Sequence, residues 1–206
     1  MTRSERLEIT GAGILQGALE HFARYGFEGA SVRDIAAQAG VNHGMIRHIY
    51  GTKEGLWRAA ITFLFERLDR EVNLDTEIGA GLGDRELFVT YIHRYVRYCA
   101  RHPEHARIMI QQSSLSGPTL EWTTRRFIRS RYAVAGPIIE RLRAQGALPD
   151  VDLVSLAFSL AASCQMFFVL APEVKSIVAR NVFLPEEVER HAQSVVRIFL
   201  RELTDS

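Results

Sequence analysis

Hydrophobic residues recur at helical spacing along the whole chain, and no stretch alternates with the period of two that is typical of strands. Near the N-terminus, one helix face is marked by five apolar residues at positions i, i+1, i+4, i+5 and i+8: Ile14, Leu15, Ala18, Leu19 and Phe22. We expect this helix to end at Gly26, because glycine adopts the left-handed backbone conformation without strain. The pattern therefore predicts an all-α protein.

Three further helices are predicted to follow the first along the chain. Ser31 has the residue type of an N-cap for a short helix that runs to Gly40. Asn42 is placed to cap the next helix, which ends at Gly51, and Thr52 begins a longer helix. Two short helices are therefore predicted between the first helix and the longer one that begins at Thr52.

Longer helices are predicted beyond a glycine-containing linker at about residues 73–84. A break is expected at His102-Pro103, because proline disfavours the helical conformation of the residue before it. The remaining helices are predicted at residues 84–101, in a short stretch after Pro103, and at 118–144, 152–170 and 185–203. The total is about nine helices.

The stretch between Asp152 and Glu173 carries no charged residue over 20 positions, which is the length of a membrane-spanning helix. Its apolarity is diluted by four polar side chains: Ser155, Ser159, Ser163 and Gln165. It also lacks the clear basic flank on one side that is typical of membrane-spanning helices, since Asp150, Asp152 and Glu173 bracket it. We interpret this stretch as a helix buried in a protein interface.

Composition narrows the class of protein. With 47% hydrophobic and 24% charged residues in a chain of 206, disordered and fibrous classes are excluded. The formal charge of +1 means that any nucleic-acid surface must be local. Two cysteines, Cys99 and Cys164, cannot build a disulfide framework, and the N-terminus has no apolar run typical of a signal peptide. A cytoplasmic location is expected.

Residues 32–51 have the spacing of a helix-turn-helix. Ala36 is the small residue that lets the second helix cross the first closely, and Gly40 supplies the positive backbone angle of the turn. Five apolar residues are expected to hold the two helices together: Ile35, Ala39, Val41, Ile46 and Ile49. Such a unit reads DNA with its second helix.

The second helix, from Asn42 to Tyr50, contains no acidic residue. We expect Asn42, His43 and Met45 to reach base edges in the major groove, and Arg47, Tyr50 and Lys53 to contact phosphates. The complete set of predicted DNA-contacting residues is Ser31, Val32, Arg33, Asn42, His43, Met45, Arg47, His48, Tyr50 and Lys53.

The run ASVRDIAAQAGVNHGMIRHIYGTKEGLW resembles the DNA-binding signature of the TetR family of transcriptional regulators. Matching positions are Ile35, Ala36, Ala39, Gly40, Val41, Gly44, Lys53, Glu54 and Leu56. Asn42 replaces the usual serine or threonine, and Arg47 stands where a tyrosine is common. The resemblance implies a three-helix DNA-binding domain at residues 1–52, followed by a helical ligand-binding and dimerisation domain at residues 53–206.

By the same resemblance, the chain is a homodimeric regulator, more often a repressor, that binds a palindromic operator and is released by a small molecule. It implies no enzymatic activity and no cofactor. Dimerisation is expected through the last two helices, on faces formed by Leu156, Ser159 or Leu160, Ser163 and Phe167, and by Val188, Ala192, Val195, Val196 and Phe199. Candidate ligand-binding residues are Tyr91, Tyr95, Met109, Gln112, Trp122, Arg126, Cys164 and Phe168.

Alternative functions have weaker support in the sequence. His102 and His105, with His93 and Cys99 upstream, suggest a metal-responsive sensor, although no second closely spaced pair of ligands accompanies them. A dimeric helical protein without inducer control is a further alternative. An enzyme is disfavoured, because Ser113-Ser114 lacks the glycine pattern of a nucleophile elbow and no glycine-rich phosphate loop is present.

Overall fold

The computed structural model describes residues 3–72 and 81–201, and every regular element in those ranges is helical, which confirms the all-α class. The helices are α1 (Arg3–Gly29), α2 (Val32–Gln38), α3 (His43–Tyr50), α4 (Lys53–Val72), α5 (Asp84–Arg101), α6 (Pro103–Leu115), α7 (Pro118–Thr123), α8 (Arg129–Ala144), α9 (Leu153–Val169), α10 (Ala171–Val178) and α11 (Pro185–Phe199). A π-helical turn, Thr124–Ile128, joins α7 to α8. Most of the predicted linker, residues 73–80, lies outside the described residues.

The helix that the sequence did not predict is α10. If α7, the π turn and α8 are counted as one helix, the described ranges contain ten helices, whereas about nine were predicted. The uncharged stretch continues through Leu170 without a glycine or a charge to mark an end, yet α9 and α10 are bent by 65° relative to each other. Within the described residues no single helix is long and apolar enough to cross a membrane, and α9 and α10 reach that length only as this bent pair.

The chain divides into two compact units. One contains the described residues up to Arg67 together with Arg107–Thr123, and the other contains Leu68–Ala106 and the chain from Thr124 onward. The boundary between Thr123 and Thr124 coincides with the start of the π turn. The assignment of functional domains to residues 1–52 and 53–206 stays a prediction.

The first unit is built around the predicted apolar face of α1. Ile14, Ala18, Leu19 and Phe22 are all buried, and Gly26 interrupts the helix with φ 72°. This break removes the regular helical partner of a nearby backbone carbonyl, and Gln111 Nε2 on α6 donates a hydrogen bond to the carbonyl of Ala23 at 2.9 Å. The break in α1 therefore lies at the predicted residue, Gly26, and α6 supplies a hydrogen-bond donor to the nearby carbonyl of Ala23.

Aromatic side chains form the centre of the same unit. Ring centroids lie 6.2 Å apart for Phe22 and Phe27, 6.0 Å for Phe27 and Trp57, and 5.7 Å for Trp57 and Trp122. The last two pairs meet edge to face, an arrangement that the ring quadrupole favours. This cluster joins α1, α4 and α7 within one core.

In the second unit, α11 packs its single apolar face against α5 and α9 of its own chain. Val188, Ala192, Val195 and Phe199 are buried there, and on α9 Leu156 and Leu160 are buried as well. The expectation that these residues face a second copy is wrong. α9 is apolar nearly all round, so its sequence pattern does not distinguish the inner face from the outer one, and α11 uses its only apolar stripe internally.

Candidate nucleic-acid interface and ligand cavity

Two side-chain caps and two glycines define the geometry of α2 and α3. Ser31 Oγ accepts a hydrogen bond from the backbone N–H of Asp34 at 3.3 Å, and Asn42 Oδ1 accepts one from the N–H of Gly44 at 2.7 Å. Gly40 in the turn has φ 65°, and Gly51 at the end of α3 has φ 71°. Both predicted caps and the predicted turn glycine are therefore in place.

The contact between α2 and α3 is made by fewer residues than the sequence suggested. Ile35, Ala36 and Ile46 are buried, while Ala39 and Val41 are half-buried. Ile49 does not contribute, since its side chain is 49% exposed. That assignment was wrong, because the inner face of this eight-residue helix continues from Ile46 to Tyr50, four positions on. Burial raises the pKa of the Tyr50 hydroxyl above its ordinary value.

The junction between α3 and α4 is unusually close. A Cβ atom at Gly55 would lie 2.1 Å from the backbone oxygen of Tyr50, so only glycine fits without a shift of the backbone. Thr52 Oγ1 accepts a hydrogen bond from the N–H of Gly55 at 3.0 Å and caps the new helix. The N-terminus of α4 is thereby held beside the end of α3. Sequence reasoning did not single out Gly55.

The outer side of α3 carries side chains that are free to bind a partner. His43, Arg47 and His48 are exposed, as is Arg33 on α2, and none of the four has a hydrogen-bond or ion-pair partner among the described residues. Met45 lies between them and is 41% exposed. Since α3 contains no acidic residue, the positive charge of this surface is not neutralised from within its own helix.

Three other predicted contact residues have structural partners. Asn42 uses its carbonyl oxygen for the cap and keeps its amide N–H groups for other contacts. Lys53 Nζ donates to the carbonyl of Glu28 at 2.8 Å and lies 5.1 Å from the ring centroid of Phe27. Ser31 caps α2, and Val32 beside it is half-buried. The DNA-contacting role of all ten residues stays a prediction.

A cavity of about 210 Å³ lies in the second unit. Four aromatic side chains from α5, α8 and α9 line it: Tyr91, Tyr95, Tyr132 and Phe158. Four small residues line it as well: Ala135, Gly136, Ala157 and Ala161. Aliphatic side chains from the π turn, α8 and α9 complete the lining, so the cavity is predominantly apolar.

Most polar groups in this cavity already have partners. The Tyr95 hydroxyl accepts a hydrogen bond from Gln165, and the Tyr132 hydroxyl donates to the carbonyl of Leu153 at 3.3 Å. Arg131 forms an ion pair with Asp69 at 2.6 Å. Tyr91 is the exception: among the described residues its hydroxyl has no hydrogen-bond partner, and desolvation raises its pKa to about 12.

Of the eight ligand-binding residues predicted from the sequence, the structure brings only Tyr91 and Tyr95 to this cavity. Trp122 packs on Trp57 in the first unit, where Gln112 accepts a hydrogen bond from Thr123 and Met109 is half-buried. Cys164 and Phe168 are buried in the core of the second unit without lining the cavity, and Arg126 is exposed. Sequence reasoning missed Tyr132, Phe158 and the four small lining residues. The spacing of Ala157 and Ala161 by one helical turn is the signal that could have indicated two of them.

The two histidines of the metal-sensor alternative are engaged by other groups. His105 Nδ1 lies 2.8 Å from the Tyr98 hydroxyl. The two ring nitrogens of His102 lie 3.1 Å and 3.4 Å from carboxylate oxygens of Glu71 and Glu104, respectively. No cluster of three or more His, Cys, Asp or Glu side chains suited to a metal ion occurs in the described ranges. The arrangement is that of a hydrogen-bonded helix junction, where α5 ends and α6 begins.

Comparisons with known proteins agree with this architecture. The sequence profile of the bacterial regulatory proteins of the tetR family matches residues 14–60. The transcriptional repressor NicS of Pseudomonas putida is 24% identical over 169 residues, covering 81% of this chain and 78% of that protein. The transcriptional regulator RutR of Escherichia coli K12 is 22% identical over 198 residues, covering 94% and 92% of the two chains.

A solved structure has the same fold. The structure of AibR in complex with isovaleryl coenzyme A and operator DNA superimposes with a TM-score of 0.71 at 18% identity, covering 92% of this chain and 97% of that one. The helix-turn-helix and the helical second unit define a DNA-binding transcriptional regulator rather than an enzyme. Residues 14–60 have the sequence of the DNA-binding domain of the TetR-type family of such regulators.

Proposed function

We propose that this chain is a repressor that binds a palindromic operator as a homodimer in the cytoplasm and is released by a small molecule. The observation that carries the DNA-binding part is the outer face of α3. There, exposed hydrogen-bonding and basic side chains lack partners among the described residues, on a helix that is fixed at both ends by a cap and a glycine. Exposed polar side chains without partners, held on a helix whose two ends are fixed, are suited to binding another molecule.

The face of α3 separates into two roles. His43 and Met45 lie in its first turn, which enters the major groove most deeply in a helix-turn-helix, so these side chains are placed to read base edges. Arg47, one turn later, is placed for phosphate. Lys53 supports the interface differently from the sequence-based prediction: its bond to the Glu28 carbonyl ties the start of α4 to the end of α1.

Dimerisation through the last two helices is supported by apolar side chains that the single chain leaves exposed. On α9, Val154 is 57% exposed, and on α11 Ile198 is 68% exposed. Large apolar side chains grouped on neighbouring helices are typical of interaction sites. Because one recognition helix reads too few base pairs for selectivity, a second copy of this chain is the occupant that the function requires.

Control by a small molecule is supported by the cavity in the second unit, whose aromatic and small side chains leave about 210 Å³ unfilled. AibR, which has the same fold, was solved with both an acyl coenzyme A and operator DNA. Such control requires that the ligand bind more tightly to the form of the protein that does not bind DNA.

The decisive experiment is selection of genomic DNA fragments by the purified chain at physiological salt. We expect an enriched inverted repeat whose half-sites lie about one helical turn apart. His43→Ala should change the preferred bases, and the same selection repeated with this variant measures that change. A folded sample that enriches no sequence above the genomic background contradicts the proposal.

A further inference from the structure

We propose that the cavity of the second unit takes an uncharged aromatic molecule of one or two rings that carries one hydrogen-bonding substituent. This inference rests on the proposed ligand control and gives the effector its chemical class. Size is the first argument: an engineered apolar cavity of about 150 Å³ in another protein accommodates benzene. The 210 Å³ found here suits a substituted benzene or a fused pair of rings.

The shape of the cavity favours a flat molecule. Tyr91 and Tyr95 have ring centroids 5.8 Å apart with an interplanar angle of 27°, and Tyr132 and Phe158 have centroids 6.4 Å apart. These rings line the cavity together with four small residues, Ala135, Gly136, Ala157 and Ala161. An aromatic ligand gains offset-stacked or edge-to-face contacts from such rings, beyond the gain from apolar burial.

The charges around the cavity favour an uncharged ligand. Arg131 is the cavity-lining side chain with a formal charge, and its guanidinium is already held by Asp69 and by the carbonyl of Phe127, at 2.6 Å each. An anionic ligand would have to compete with Asp69, and its carboxylate would lose its hydration against a mostly apolar lining. The site therefore selects against a charged analogue of the same ring.

The hydroxyl of Tyr91 supplies the polar contact. Tyr91 lines the cavity, and its hydroxyl has no hydrogen-bond partner among the described residues, whereas the hydroxyls of Tyr95 and Tyr132 are bonded to protein groups. A ligand substituent that hydrogen-bonds to Tyr91 therefore makes a polar contact for which no protein group among the described residues competes. This contact explains the single polar substituent of the proposed ligand.

The test is calorimetric titration of the full chain with four probes: phenol, toluene, benzoate and cyclohexanol. Phenol should bind at least tenfold more tightly than benzoate or cyclohexanol. Tyr91→Phe should weaken phenol about five- to tenfold and leave toluene unchanged, since only phenol uses the hydroxyl. Ala157→Phe fills the cavity and should abolish binding of phenol, while Ala133→Phe, at an exposed position on α8, should not.

Each result separates the ligand class from the proposed regulation. Benzoate or cyclohexanol binding as tightly as phenol overturns the inference, as does phenol binding that survives Ala157→Phe. Absence of phenol binding in a sample that still binds its operator overturns the inference alone. Phenol binding that depends on Ala157 and Tyr91 without any effect on operator binding supports the inference and removes the proposed ligand control.

Discussion

At the scale of single residues, the phosphate role of Arg47 leads to a quantitative expectation. Its guanidinium is exposed and has no partner among the described residues, so its removal costs the folded chain little. Arg47→Ala should weaken binding to specific and non-specific DNA alike and lower the slope of log K against log salt by about 1. Fluorescence anisotropy at several salt concentrations measures both effects.

The matched control for Arg47 is Arg129→Ala on α8, which removes another exposed arginine without a partner in the described ranges. Its affinity and salt dependence should equal those of the native chain. If Arg47→Ala instead alters which bases are preferred while the salt slope stays the same, Arg47 reads bases and the phosphate assignment is wrong.

The roles of some of these residues could be predicted from the local sequence, and the roles of others could not. Ser31 and Asn42 are recognisable as caps because their side chains bond to backbone groups only two or three positions away. Lys53 bonds to a carbonyl 25 positions earlier, and Tyr91 stacks on Tyr95 in the cavity of the second unit. Contacts of this kind depend on tertiary packing, which no local pattern encodes.

At the scale of helices, replacing Gly55 at the junction of α3 and α4 has two opposing effects on stability. Alanine stabilises a helix by up to about 1 kcal/mol relative to glycine. A Cβ 2.1 Å from the Tyr50 oxygen forces a backbone shift, which costs about 1–3 kcal/mol, so the clash prevails. Gly55→Ala should lower the free energy of unfolding in urea and weaken DNA binding.

Gly13 on α1 provides the opposite case. It is exposed, and no atom lies within 4 Å of the position that a Cβ would take. Gly13→Ala should therefore stabilise the chain by up to about 1 kcal/mol in the same urea experiment. Equal effects of the two substitutions would show that the close approach at Gly55 does not exist in solution.

An ion pair between α5 and α8 predicts a dependence of stability on pH. Arg141 Nε and one terminal guanidinium nitrogen lie 2.7 Å from the two carboxylate oxygens of Asp84. This hydrogen bonding holds the pKa of Asp84 below its ordinary value of 3.8. A carboxylate with a lowered folded-state pKa stabilises the fold fully above 3.8, and this contribution is lost as the pH falls through the folded pKa.

Asp84→Asn should accordingly reduce the stability of the chain at pH 7 and make its decline below pH 4 shallower, as measured by urea midpoints at both ends of that range. Glu140→Gln is the control, because Glu140 is an exposed carboxylate on α8, the helix of Arg141, with no ion partner in the described ranges. A decline that is equally steep in Asp84→Asn and the native chain would contradict the assignment.

The positions of most helices follow from the sequence because glycine, proline and capping residues mark their ends. The faces of the helices were harder to predict. α11 has a single apolar stripe, and amphipathicity alone does not tell whether such a stripe is buried by the same chain or by a second copy. α10 was missed for a different reason: Pro172 and Glu173 in its first turn are signals of a helix start that the sequence analysis did not use.

At the scale of the whole molecule, the proposed dimer is testable through Val154, which is 57% exposed on α9. Val154→Asp places a charge in the proposed interface, and burying an unpaired charge is strongly unfavourable. The variant should sediment as a monomer and lose affinity for the complete palindrome, while its weak binding to a half-site remains.

Val134→Asp on α8 is the control, because Val134 is 74% exposed and lies outside the last two helices. It should remain dimeric at the same protein concentration. If Val154→Asp remains dimeric and Val134→Asp dissociates, the two copies meet through α8 and the proposed interface is wrong.

The four small residues that line the cavity also affect how easily the ligand preference of this regulator can evolve. Ala135, Gly136, Ala157 and Ala161 leave space unfilled rather than completing a tightly packed core. One nucleotide change converts an alanine codon to valine or a glycine codon to alanine, and either replacement reshapes the cavity by one or two methyl groups. New effector preferences are therefore accessible in single genetic steps that leave α3, and with it the set of controlled genes, unchanged.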